Sequence, residues 1–376
     1  MKILVIDTRL SGHHLEYLHY YYCGALQNTQ NEYLFCVPVD FDNIKVQYVW
    51  ENQYNISFIY IPNNKVYACN NGSVFKKIWN TSWLIRDLAK KYSANKIILT
   101  DILELIPLMP FLLPSNIKVR GIMYKLYHYK EKELSKTKLI FEKMRLWFIS
   151  KCKSIEFIYT LNDKNASIIY NKKFSSKKFK YIIDPAPSIA SESSQDIRRE
   201  LGISKDNKVF LNFGYLNARK GTLDILDSFQ YLSKDELAMY TFIFAGKVDT
   251  SIRENFYERI RQWQNRLQII IFDEFCEYEL LFNLCKTCDI ILIPYHTTAQ
   301  SSGVIGYAAA FSKPVIGPNT GLVGNLIKDF GLGSCVEDIT GISLASEYKK
   351  FHKCDGALYL NTHKACNFIH TLFSDL

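Results

Sequence analysis

Two adjacent cations, Arg219 and Lys220, follow the apolar run Val209 to Phe213 and its glycine, Gly214, and stand just before Gly221 and a helix-like stretch. A strand, a glycine, a cationic loop and a helix start together suit a diphosphate. The glycine admits a close ligand, the side chains supply counter-charge, and the first N–H groups of the helix add theirs. Asn217 lies in the same loop. A second stretch, Ser301-Ser302-Gly303-Val304, offers hydroxyls and amides at another helix start, with Tyr307 one turn further on. It could take phosphate or sugar hydroxyls. A third lies near the N-terminus, where Gly12-His13-His14 leads from a first strand into a helix, and Asp101 follows another strand. An imidazole or carboxylate at such a strand end can act as a general base. Each set also has a plainer reading: solvated charge for Arg219 and Lys220, N-capping for the serines, and helix capping for the histidines. A GxGxxG fingerprint is absent, which argues against a nicotinamide dehydrogenase.

These loops need strands and helices to aim them, and both halves of the chain supply them. Apolar runs alternate with amphipathic stretches, the pattern of parallel sheets covered by helices. In the first half strands are expected at Lys2 to Ile6, Tyr33 to Val37, Ser57 to Ile61, Lys96 to Thr100, Lys118 to Ile122, Phe157 to Leu161 and Tyr181 to Ile183. After a Pro-, Ser- and Ala-rich stretch from Asp184 to Asn207, strands resume at Lys208 to Phe213, Tyr240 to Ala245, Gln268 to Phe272, Asp289 to Pro294 and Pro314 to Ile316. The expected domains are 1–190, which would bind an acceptor, and 205–350, with a terminal helix over 356–376 packing back on the first. A length of 376 residues, 48% hydrophobic and 22% charged, suits two globular cores.

The ten cysteines are scattered, and the Cys285/Cys288 pair has no second pair to complete a zinc site, so buried thiols in a reducing cytosol are expected. The N-terminal residues lack a secretory apolar region, and no apolar run reaches the length of a membrane span. The net charge of +9 is uneven: from Lys118 to Lys180 there are 17 Lys/Arg against five Asp/Glu. Such a lobe suits an anionic membrane surface or an acidic substrate, and the stretch Leu134 to Lys153, with Ile140, Met144 and Trp147 at helical spacing, suits the membrane. No nucleic-acid motif accompanies the charge.

The ordered set of the Gly12 loop, Thr100-Asp101, Ile158-Tyr159-Thr160-Leu161-Asn162, Asp184-Pro185, Phe213-Gly214 with Arg219-Lys220-Gly221, Ala245-Gly246-Lys247 and Ser312-Lys313-Pro314-Val315-Ile316 resembles the glycosyltransferase family 4 type of GT-B enzyme. The resemblance covers nearly the whole chain and is strongest from Val209 to Gly321. It implies an α/β fold of two Rossmann-like, doubly wound domains facing each other across a cleft. It further implies a transferase, of the hexosyltransferase class, moving a sugar with retention from a nucleotide-diphosphate donor to a glycan or lipid-linked acceptor, as in bacterial surface-polysaccharide synthesis. Lys220 matches the family's diphosphate-binding lysine. The family's arginine position is Tyr215 here, which leaves Arg219 as its substitute. Two family glutamate positions are Ala299 and Tyr307, so Ser301, Ser302 and Tyr307 become the candidates for sugar and ribose.

The expected catalytic residues are Lys220, Arg219, His13 and Asp101. The expected donor-binding residues are Gly12, Gly214, Asn217, Ser301, Ser302, Gly303, Val304 and Tyr307. Neither a metal nor a cofactor is expected, because no DxD-like carboxylate pair occupies a suitable loop. If the reaction inverts, His13, His14 or Asp101 would be the base. The other readings are a GT-B sugar-nucleotide epimerase or hydrolase, a non-catalytic GT-B partner subunit, and a nucleotide-binding module. The expected setting is cytoplasmic, peripheral at the inner face of a membrane.

Overall fold

The computed structural model describes residues 1–376 apart from 11–12, 45–47, 49, 132–133, 188–195, 351 and 375, and of 13, 44 and 130 it describes the backbone alone. The chain divides into two compact units: Met1–Asp184 with Ala365–Leu376, and Pro185–Lys364. The first holds strands β1 (Lys2–Ile6), β2 (Glu32–Pro38), β3 (Ile56–Ile61), β4 (Lys96–Leu99), β5 (Lys118–Met123), β6 (Ile155–Leu161) and β7 (Phe179–Ile182). They form one parallel sheet in the order β3-β2-β1-β4-β5-β6-β7. Ile3, Leu4 and Val5 of β1 are fully buried, as expected of a central strand with helices on both faces. The helix His13–Gln27 turns Leu15, Leu18, Tyr22 and Ala25 inward at helical spacing.

The second unit holds β8 (Lys208–Phe213), β9 (Tyr240–Ala245), β10 (Gln268–Phe272), β11 (Ile290–Leu292), β12 (Val315–Pro318) and β13 (Gly333–Val336), in the order β10-β9-β8-β11-β12-β13. Every pairing in this sheet is parallel. Each sheet reverses its winding once, between β1 and β4 in the first unit and between β8 and β11 in the second. At such a switch point the loops beyond the strand ends splay apart and leave a crevice for a ligand. The loops after β1, β4, β8 and β11 are the ones that carry the candidate residues.

Three expectations need correction. The last strand, β13, was not anticipated: its sequence, Gly-Ser-Cys-Val, has no long apolar run. Gly333 there runs so close to β12 that a Cβ would lie 2.1 Å from the Val315 carbonyl oxygen, so the pairing itself excludes a more strand-like residue. The terminal stretch is two helices, not one: Ala357–Thr362 stays with the second unit, and Ala365–Phe373 belongs to the first. Phe368 of the latter packs on Tyr17, with ring centroids 5.4 Å apart. The Asp184–Asn207 stretch is likewise not all linker, since a short helix, Ile197–Glu200, is capped by the Asp196 side chain and tied to the sheet by Arg198–Asp289 at 2.9 Å. Among the described residues no helix is long and apolar enough to cross a membrane.

Candidate active site

Beyond β8 the backbone turns at Gly214, with φ of +95°. A Cβ there would lie 2.6 Å from the Lys220 ammonium, so the glycine is what lets that ammonium settle over the strand end, 3.5 Å from the Phe213 carbonyl oxygen. Lys220 closes a short 3-10 turn, Ala218–Lys220, whose cap is the Asn217 side chain accepting from the Lys220 amide at 3.0 Å. Gly221 follows with φ of +68°, and a Cβ on it would sit 2.0 Å from the Pro294 carbonyl oxygen. The loop after β8 is therefore pressed against the loop after β11.

Tyr295, on that second loop, is the joint between them. The Arg219 guanidinium and the Lys220 ammonium lie 5.7 and 5.6 Å from its ring centroid, within the range of cation–π attraction. Its hydroxyl is 3.2 Å from Ser302 Oγ. The next residue, His296, donates its amide to the Arg219 carbonyl at 2.9 Å and pairs its Nε2 with Asp224 at 2.7 Å. Among the described residues neither Arg219 nor Lys220 has an ion-pair partner, so their charge is open to an anionic ligand.

Ser302 precedes the helix Gly303–Ala310 without capping it through its side chain. The first amides of any helix lack an acceptor within it, and here they start beside Tyr295 and the serines. Val304 is buried, which limits its part in binding to its backbone. Tyr307, one turn on, packs edge-to-face against Phe213, with centroids 5.5 Å apart, and also touches Phe282. Gly214, Asn217, Arg219, Lys220, Ser302 and Gly303 thus gather at the switch point of the second sheet, flanked by Ser301, Val304 and Tyr307. Tyr295 was missed; its only sequence signal was a tyrosine directly after a buried strand end.

A second polar constellation lies at the switch point of the first sheet. Asp7, 4% exposed at the end of β1, accepts from the Arg9 amide at 2.8 Å and from the Thr100 hydroxyl, and its Oδ2 lies 2.6 Å from His14 Nδ1. A carboxylate at that distance holds the proton on Nδ1 and leaves Nε2 as the basic nitrogen. Asp101 pairs with Arg9 at 3.3 Å. Burial pushes its carboxyl above the usual range, against the opposing pull of Arg9. Asp7 was missed, although an acid directly after the first strand is a readable sign. Gly12 and the side chain of His13 lie outside the described residues. Nearby, Asp184 accepts from the Tyr17 hydroxyl at 2.5 Å.

The Cys285 and Cys288 thiols are buried, and burial pushes both upward, the latter to about 12, so they stay protonated. Among the described residues no three His, Cys, Asp or Glu side chains gather as metal ligands.

Residues 193–364 match the family described as glycosyl transferases group 1. No curated protein sequence matches the chain. Among solved structures, HepE from Anabaena in complex with UDP and glucose is 14% identical, with a TM-score of 0.63 over 100% of this chain and 94% of that one. WaaG, a glycosyltransferase involved in lipopolysaccharide biosynthesis, is 14% identical, with a TM-score of 0.65 over 98% and 94%. The UDP-forming alpha,alpha-trehalose-phosphate synthase from Burkholderia xenovorans, in complex with glucose-6-phosphate, is 11% identical, with a TM-score of 0.71 over 100% and 99%. With its two parallel sheets, its crevice loops and its matched second unit, the chain is a glycosyltransferase of the two-domain, Rossmann-like GT-B fold.

Proposed function

We propose that this glycosyltransferase takes its sugar from a nucleoside diphosphate donor held by the second unit, with Lys220 and Arg219 neutralising the departing diphosphate. As the bond from the anomeric carbon to the diphosphate oxygen breaks, the electron pair goes to that oxygen, and an acceptor hydroxyl bonds to the carbon and releases its proton. Charge grows on the diphosphate in the transition state, and prepositioned donors there lower the barrier most. The observation that carries this reading is the pair of cations that have no carboxylate partner among the described residues, both beside the Tyr295 ring at the switch point. Amides at Gly303 and Val304 and the hydroxyls of Ser301 and Ser302 would complete the diphosphate and sugar contacts, with Gly214 leaving room for the ligand. Tyr307 would line the ribose side. With two cations supplying the counter-charge, a divalent metal is not required, and no cofactor takes part.

The first unit would bind the acceptor, a glycan or a lipid-linked glycan of a surface polysaccharide, with the enzyme in the cytosol at the inner face of a membrane. Retention is the first reading: Ala299 and Tyr307 leave no carboxylate at those positions, so the acceptor proton would pass to the departing diphosphate. The Asp7–His14 hydrogen bond favours a second, inverting reading in which His14 Nε2 removes that proton, with Asp101 beside it. The anomeric coupling constant of the product, measured by proton NMR, separates the two.

The experiment that tests the donor site is a thermal-shift screen of wild type and Lys220→Ala against UDP, UDP-glucose and the guanosine, adenosine and cytidine counterparts. Uridine nucleotides come first because HepE is solved with UDP. A ligand bound only by the native state raises the melting temperature. One nucleotide should do so in wild type and not in the variant, and transfer should persist in EDTA. Equal shifts in both proteins would remove Lys220 from the site.

A further inference from the structure

The helix Lys136–Lys151 is apolar on two opposite faces. Leu146, Ile149 and Ser150 are buried against the first unit, as a surface helix requires. The other face, which should be polar, carries Ile140, Met144 and Trp147 at spacings of four and three, exposed to 57%, 62% and 56%. Phe111, from the short helix Leu108–Leu112, is 71% exposed and packs on Phe148, with centroids 4.9 Å apart, so it widens the patch. Lys136 and Lys151 stand at the two ends of the same stripe, both exposed. Soluble proteins rarely leave so many large apolar side chains together without covering them.

What covers the patch is set by its charge. The surrounding segment, Lys118 to Lys180, carries an excess of twelve cations, from 17 Lys/Arg against five Asp/Glu. A second copy docking through the same patch would bring the two lysine rims together, which like-charge repulsion opposes. An anionic bilayer instead offers headgroup phosphates to the lysines and an acyl boundary to the tryptophan, methionine and isoleucine. We infer that the exposed stripe Ile140–Met144–Trp147, with Phe111, Lys136 and Lys151, is a docking surface for an anionic membrane. This deepens the peripheral placement proposed above, rests on it, and needs nothing of the donor site.

The test is co-sedimentation of the full chain with vesicles, either of phosphatidylcholine alone or with roughly one lipid in three replaced by phosphatidylglycerol. Wild type should pellet with the anionic vesicles at low salt, leave them at high salt, and ignore the neutral ones. Met144→Ser/Trp147→Ser and Lys136→Glu/Lys151→Glu should each weaken binding about tenfold. Met144→Ser/Trp147→Ser should melt with wild type, and the lysine variant, which gives up the exposed Lys151 bond to the Phe174 carbonyl at 3.3 Å, should melt slightly lower but still cooperatively. Transfer to a soluble acceptor should also be unchanged, which keeps failure here separate from failure of the donor site. Wild type remaining in the supernatant with anionic vesicles, or both variants binding like wild type, would overturn the inference. So would a wild-type dimer that Trp147→Ser dissolves.

Discussion

Lys220 reaches its place through two glycines and an asparagine, and its removal should leave that turn intact. Lys220→Ala is expected to lower turnover about 10²- to 10³-fold, the usual cost of losing one prepositioned charge at a developing oxyanion, while circular dichroism stays native. Tyr295 supports both cations by its ring and Ser302 by its hydroxyl. Tyr295→Phe should therefore keep turnover within a few-fold of wild type. Tyr295→Leu, which removes the π-face, should raise the KM for donor by about threefold or more. Much of this site could be read from the sequence, because Gly214, Asn217, Arg219, Lys220 and Gly221 form one local strand-to-helix turn. Tyr295 and Asp7 could not be read as partners. Tyr295 meets the cations only because β11 is hydrogen-bonded beside β8, and Asp7 meets Thr100 only because β4 lies beside β1.

Strands with long apolar runs declared themselves, since a parallel strand buried on both faces has to be apolar throughout. Short strands held by close backbone approach, such as β13, did not. One buried charge inside the first sheet was also invisible. Arg120 of β5 is 1% exposed, bonds Glu156 of β6 at 2.6 Å, and reaches the Leu372 carbonyl at 3.2 Å, tying the last helix to the sheet. Burial alone would push the Glu156 carboxyl up, but Arg120 and Lys96 outweigh it and hold the group below its ordinary value. Its contribution is therefore present above about pH 4.5 and is lost as pH falls through the depressed folded value. Glu156→Gln should cost about 3 kcal/mol in urea unfolding at pH 7. The gap to wild type should close as the buffer is taken below pH 4.

At the scale of the molecule, the chain enters the second unit at Pro185 and leaves it at Lys364. Near the exit His363 is buried, stacked on Tyr359 with centroids 3.7 Å apart. Burial lowers its pKa to about 4, from an ordinary 6.5. The unfolded chain binds a proton there first, so stability is full above pH 6.5 and drains away down to about pH 4. His363→Phe should flatten that part of the profile of melting temperature against pH. Entry and exit are clipped side by side, with the Ala186 amide donating to the His363 carbonyl at 2.8 Å. Read as a gene, the enzyme is one domain spliced into another: residues 185–364 form an uninterrupted cassette whose ends touch, whereas the host is discontinuous and needs 365–376 to be whole. The cassette expressed alone should fold with a cooperative thermal transition, and if the proposed donor site is right it should show the same nucleotide-induced rise in melting temperature as the whole chain.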